Sequence, residues 1–279
     1  MTAFVSLKES LPRSRWTLQR FGLSPGKLRY RMADAGAPTV FCVSLPKAGT
    51  HLLERALCLH PRLYRKLWPT ISEENIGRWS GVDGLLGRLR PGQVAASHLR
   101  HRPEYPDILE RRGVRGIFLI RDPHDIVVSQ AHYVATRTDH RAHELFADLP
   151  DLKDRIRMAI TGDPAHRLAS IGERLDYFAG WLDGLLVVRF EDLVGEAGGG
   201  GAEAQRVAVG SIYRHLGMPV DERLLRSICV NLYSADSPTF RRGVIGGWRR
   251  SFDDELTALF DEVVGDRSVP YGYSISGAS

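Results

Sequence analysis

Cysteine is scarce in this chain of 279 residues: Cys42, Cys58 and Cys229 are the only three, and each sits in an apolar stretch. Three thiols without metal-ligand spacing exclude a disulfide framework and read as reduced core cysteines of a cytoplasmic protein. Long apolar runs are missing too. None reaches eighteen residues, so no membrane-spanning helix is predicted. No internal repeat is evident, and the nucleotide-hydrolase pattern G-x-x-x-x-G-K-[ST] is absent. Acid is nearly absent from residues 1–32, where Lys8, Arg13, Arg15, Arg20, Lys27, Arg29 and Arg31 face a single Glu9. This segment has no apolar h-region and so is no secretory signal; it reads as a transit-like segment or as a basic arm on a domain spanning 33–279.

What remains is ample for a core. Hydrophobic residues make up 43% and charged residues 25%, with 28 glycines, which suits one large α/β domain. The formal net charge of +5 fits an anionic small ligand and does not call for nucleic acid. Apolar, β-branched runs recur at 40–45, 92–97, 114–120 and 185–190 with helical patterns between them. Such alternation predicts a single domain with a central, mostly parallel sheet and helices on both faces. A glycine-rich stretch, GEAGGGGAEA (195–204), reads as an inserted loop before a helix. In these sheets ligands gather beyond the carboxyl ends of the strands. Each run here ends in useful chemistry: Lys47, His98, Arg121, and Arg189 with Glu191 and Asp192.

Three stretches give that expectation detail. LPKAGTHLLERAL (45–57) follows a buried-type strand and opens a helix, with Pro46 and Gly49 at the join. The free N–H groups of a first helical turn favour a bound phosphate, and a glycine lets backbone approach it closely. Lys47 comes two residues before the glycine, so the stretch is either a phosphate loop of another kind or an ordinary strand–turn–helix with a solvated lysine. In GIFLIRDPHDIVVSQAHY, Arg121 ends a strand, Asp122 and Pro123 read as N-cap and first helical residue, and Ser129 follows on the helix. Arg121 and Ser129 can share one phosphate, or Arg121 can pair with a local acid. PTFRRGVIGGWRRSF (238–252) reads as a cationic loop around Arg241 and Arg242.

In this order, the stretches resemble the sulfotransferases that use 3′-phosphoadenosine 5′-phosphosulfate (PAPS), especially the cytosolic-type branch, over about residues 39–275. The resemblance implies a P-loop-like phosphosulfate site on P-K-x-G-T, made by Pro46, Lys47, Ala48, Gly49 and Thr50 with His51 and Leu52 behind them. It implies a 3′-phosphate site made by Arg121 and Ser129 with Phe240, Arg241, Arg242 and Gly243. VRFEDL (188–193) matches the family's R-Y-E-D-L piece, with Phe190 where tyrosine is common, and adds Phe190 to the donor site. Ser97-His98 matches the family's strand-end histidine, which implies His98 as general base, with Lys47 reaching the bridging oxygen. The implied reaction moves a sulfuryl group from PAPS to a hydroxyl-bearing, apolar or aromatic acceptor, with no metal. An imidazole suits the proton removal, and a lysine at a helix N-terminus suits the charge that builds on the leaving oxygen.

Some places depart from the family pattern. Ala96 stands where many members carry lysine, so Arg100 or Arg102 is expected to supply that charge. His51 and Leu52 replace a common Thr-Trp pair, removing an adenine-stacking ring. Glu54, Glu73 and Glu74 remain alternative bases, because some membrane-bound relatives use glutamate. Asp253, Asp254 and Ala258 occupy key places of the family's dimer motif, which is not recognisable. Acceptor contacts are expected from 62–90 and 132–170, with Tyr133 foremost. His98 and His101 are three apart but lack a third zinc ligand. Two further classes stay open on the residues alone. A kinase-like phosphotransferase needs a metal-binding acid after a strand and the glycine–lysine order, and a non-catalytic nucleotide-binding protein needs no His98.

Overall fold

The computed structural model describes residues 16–33, 36–233 and 243–274. Five strands, β1 (Thr39–Ser44), β2 (Tyr64–Arg65), β3 (Gln93–Ser97), β4 (Val114–Ile120) and β5 (Leu186–Arg189), form one sheet in the order β2-β3-β1-β4-β5. Every neighbouring pair is parallel, as the strand–helix alternation predicts. The main helices are α1 (Pro25–Ala33), α2 (Thr50–Leu59), α3 (Tyr105–Arg111), α4 (Pro123–Thr136), α5 (Leu152–Thr161), α6 (Ile171–Ala179), α7 (Ala202–His215), α8 (Glu222–Leu232) and α9 (Asp254–Val264). The two-residue β2 escapes sequence reading because so short a pairing leaves no periodic signal.

A parallel sheet must be covered on both faces, and the strand residues divide accordingly. Phe41, Val43, Ala95, Phe118 and Ile120 pack on one side with α3, α4, α6 and α9. Val40, Cys42, Val94, Ala96, Ile117 and Leu119 pack on the other with α2, α7 and α8. The chain leaves β1 for β2 and β3 on one flank and crosses to β4 on the other. The carboxyl end of β1 is therefore a topological switch point, where a crevice opens. The registers Val43↔Ser97, Ser44↔Leu119 and Ile120↔Arg189 bring the four strand ends level.

Part of the basic N-terminal segment lies on this frame. Arg20 donates to Glu54 at 2.6 Å, and buried Lys27 donates to the carbonyls of Cys58 and Leu63 beside the end of α2. Its burial pulls the Lys27 ammonium down to about 8. The glycine-rich stretch 195–204 forms a 3-10 turn at Glu196–Gly198 before α7. A Cβ at Gly198 would stand 2.6 Å from the Gly243 carbonyl oxygen, and the Ile245 amide donates to Gly198 at 3.0 Å. This contact seats the segment that follows Gly243.

Candidate active site

A cleft of about 1160 Å³ opens over the carboxyl ends of β1, β3 and β4. At its centre is the turn between β1 and α2. Lys47 and Gly49 both have positive φ, 74° and 104°. Gly49 is required twice over: its φ suits glycine, and a Cβ there would lie 2.6 Å from the Phe190 ring. The turn leaves the amides of Lys47, Gly49, Thr50 and His51 without an acceptor among the described residues, whereas Ala48 and Leu52 donate to Leu45 and Gly49. Unpaired N–H groups in a turn at a helix N-terminus are suited to a bound anion. The Thr50 hydroxyl meets Ser44 Oγ at 2.7 Å, and Ala48 is fully buried, so only its backbone serves the loop.

Arg121 ties this loop to the next strand. Its guanidinium donates to the Lys47 carbonyl at 3.3 Å and the Val244 carbonyl at 3.1 Å, pairs with Asp125 at 3.6 Å, and lies 4.2 Å from the Phe190 ring centre. Arg121 thus has the local acid that the sequence allowed and also lines the cleft. Its Nε is buried with no partner among the described residues. Ser129 lines the same wall two helical turns along α4.

The acids of this motif act as a clamp. Asp122 caps α4 by accepting from the His124 amide at 2.9 Å, as predicted, and also accepts from Trp248 Nε1 at 3.1 Å. Asp125 accepts from the amides of Gly246 at 2.9 Å and Trp248 at 3.1 Å. Burial raises the Asp125 pKa against the pull of Arg121. Glu191 accepts from the Asp122 amide at 2.9 Å and from the Tyr273 hydroxyl at 2.7 Å. Beyond the cap at Asp122, no sign of this clamp is legible in the sequence, because the long-range partners of Asp122, Asp125 and Glu191 lie from 69 to 126 positions away. Phe240, Arg241 and Arg242 lie outside the described residues; Gly243 lies within them and lines the cleft.

His98 follows β3 and faces the loop from the other side. Its Nδ1 donates to the Ser44 carbonyl at 2.8 Å, so the neutral ring carries its proton there and leaves Nε2 as an acceptor. Burial lowers its pKa to about 4, against the Ser44 hydrogen bond and with help from His51 and Lys47. Lys47 Nζ stands 3.3 Å from the Tyr133 ring centre. Burial first, then Arg121 and Arg137, pull its pKa down to about 7. Tyr133 therefore sits beneath Lys47 as well as at the cleft wall.

Of the alternative bases, Glu54 is taken up by other work. It is buried, binds Arg20 and Arg65, and accepts from His51 at 3.2 Å. Burial opposes its charge, but the His51 hydrogen bond and the two guanidinium groups hold it down to about 2. Glu73 and Glu74 line the cleft, Glu73 accepting from the Arg100 amide at 3.1 Å and Glu74 pairing with Arg141 at 3.5 Å. Ala96 is a core residue facing α2, so it brings no charge to the cleft. Arg100 lines the cleft, whereas Arg102 turns to Glu73. Leu52 lines it with Leu232 and Tyr233. His101 packs edge-on against Trp181, and no metal-binding group of side chains occurs among the described residues.

The sulfotransferase domain model matches residues 37–269, and the chain belongs to that family. Among solved structures it resembles mouse sulfotransferase SULT7A1 complexed with PAP, at 19% identity and TM-score 0.62 over 84% of this chain and 85% of that one. It also resembles retinol dehydratase in complex with androsterone and the inactive cofactor PAP, at 18% identity and TM-score 0.57 over 88% and 85%. At these identities the likeness is one of fold. No curated protein matches the sequence. Among the described residues no helix is long and apolar enough to cross a membrane.

Proposed function

We propose that the protein transfers a sulfuryl group from PAPS to the hydroxyl of an acceptor, with His98 as base. One observation carries this reading: an anion cradle, an orphaned arginine donor and an imidazole acceptor nitrogen meet at one switch point. PAPS supplies an activated sulfur whose bond to a phosphate oxygen is broken as the acceptor oxygen attacks in line. The cradle amides and Lys47 hold the 5′-phosphosulfate, and Arg121 with Ser129 and the loop through Gly243 holds the 3′-phosphate. Leu52, Leu232 and Tyr233 offer an apolar place for the adenine. His98 Nε2 takes the proton from the attacking hydroxyl. Lys47 meets the charge left on the leaving oxygen, and the negative donor raises the pKa of both residues toward values that suit these roles. Hydroxylated compounds with an aromatic or apolar body fit the walls at Tyr133, Tyr177 and Phe178. Free, buried Cys42 and Cys58 suit a reducing compartment such as the cytoplasm.

The test combines ligand stabilisation with turnover. PAP should raise the melting temperature several degrees more than adenosine monophosphate, because it alone fills both phosphate sites. Equal shifts contradict the 3′-phosphate role of Arg121 and Ser129. Radiolabelled sulfuryl transfer from PAPS to a panel of phenols and alcohols then checks the reaction itself.

A further inference from the structure

Beyond the loop between β1 and α2 and Arg121, the cleft carries in its lining further positive charge that transfer to a plain alcohol does not require. Arg100, Arg167 and Arg174 line it, and no carboxylate pairs with their guanidinium groups among the described residues. The local acids are engaged elsewhere, Glu73 with Arg102 at 3.5 Å and Glu74 with Arg141 at 3.5 Å.

Arg100 and Arg167 are exposed and Arg174 is buried; Arg100 and Arg174 are held through their side chains, Arg167 through its backbone. Arg100 stands 3.7 Å from the Tyr177 ring centre. Arg167 has φ 53°, a left-handed conformation costly for a residue with a side chain. The surrounding backbone enforces it: Asp163 and Leu168 exchange hydrogen bonds of 2.7 and 2.9 Å, and Arg141 donates to the Arg167 carbonyl at 3.1 Å. Arg174 is buried and bonded only to neutral acceptors, Gln130 Oε1, the Ala159 carbonyl at 3.1 Å and the Ser170 carbonyl at 3.4 Å. Burial lowers its pKa to about 10, which leaves it charged at neutral pH. A desolvated cation without a counter-ion is costly, and a ligand that brings negative charge offsets that cost.

We propose that the acceptor carries an anionic group, a carboxylate, sulfate or phosphate, in addition to its hydroxyl. The anion lies toward Arg100 and Arg167, within the field of Arg174, while the body of the molecule rests on Tyr177 and Phe178. The inference builds on the sulfotransferase reading above.

Its test uses the full chain saturated with PAP, so that the donor phosphate sites are filled. Calorimetric titration compares 4-hydroxyphenylacetate with neutral 4-methylphenol and cationic tyramine. The anionic phenol should bind about tenfold or more tighter than the neutral one, the scale of one charge-assisted hydrogen bond, with tyramine weakest. Arg100→Gln and Arg167→Gln should each reduce that ratio several-fold, and the double variant should bring it near one. The PAP affinity of each variant reports that the fold is intact. Equal or tighter binding of 4-methylphenol, or no binding of any probe at millimolar concentration, overturns the proposal. Failure of PAP itself to bind overturns the donor-site reading and this inference with it.

Discussion

Where we place the donor, the groups offered to an anion are backbone amides of the β1–α2 turn and one guanidinium, that of Arg121, which is held by its bonds to Lys47 and Val244. Where we place the acceptor, the groups offered are side chains of Arg100, Arg167 and Arg174, carried by a strand-end loop, the end of a 3-10 turn and α6. Backbone geometry is set by a short local sequence and changes little when one side chain changes. Side-chain walls can be rebuilt one residue at a time. The fold thus keeps one reagent constant and lets the other vary, which is how a scaffold supports many specificities.

The sharpest way to break this comparison is at His98, where the two ends meet. His98→Ala should cut turnover by about 100- to 10,000-fold, the range for a general base, while PAP binds nearly as before. A base acts chiefly in the transition state, so binding of the desulfated nucleotide should report only the donor end. Near-normal turnover in His98→Ala, with turnover lost in Glu73→Gln or Glu74→Gln, would move the base to the acceptor wall. Loss of PAP binding would instead make His98 a support for the Ser44 strand end.

Glu54→Gln tests the donor end from behind. It leaves Arg65 and Arg20 beside a neutral amide in a buried place, and breaking such a pair costs about 3 kcal/mol. The melting temperature should fall by roughly 5–10 °C, with turnover per folded molecule little changed. A collapse of turnover without loss of stability would return Glu54 to the list of bases. Arg121→Ala should then raise the PAP dissociation constant about 10- to 100-fold, the value of a charge-assisted contact, with the acceptor KM little altered. An effect confined to the acceptor KM would remove Arg121 from the 3′-phosphate.

How legible each end was follows from the same difference. P-K-A-G-T and R-D-P-H-D are contiguous, and helix caps, strand ends and phosphate turns are local events, so Lys47, Gly49, Arg121 and Asp122 could be placed from sequence. The parallel sheet was legible because β1, β3 and β4 are near-continuous apolar runs. Glu54's partners were not, since Arg20 and Arg65 come from segments with no periodic signal. Nor were Arg167 and Arg174: nothing in PAHRLAS announces a left-handed arginine, and on α6 Arg174 reads as an ordinary surface charge until burial is seen. Tyr133 was singled out for the acceptor and stands under Lys47, because the helix carrying it follows the donor motif directly.

The smallest effect concerns a single proton at the donor loop. In the ligand-free protein, burial together with Arg121 and Arg137 holds Lys47 at about 7, so at pH 8 it is mostly neutral. A phosphate seated in the cradle favours the ammonium and raises that pKa. The phosphates of PAP are fully ionised at pH 8, and His98, starting from about 4, stays largely neutral there. Binding at pH 8 should therefore take up about 0.5–0.9 proton at Lys47, whereas at pH 6 the lysine is already charged and takes up almost none. Because binding takes up a proton, PAP affinity should weaken as pH rises from 7 toward the pKa of the bound form. Calorimetry in buffers of different ionisation enthalpy reads the uptake directly. Lys47→Arg should abolish it, since a guanidinium is charged throughout this range. If the wild-type protein took up no proton at pH 8, Lys47 would already be an ammonium over the Tyr133 ring, and its contact with the leaving oxygen would need no priming by the donor.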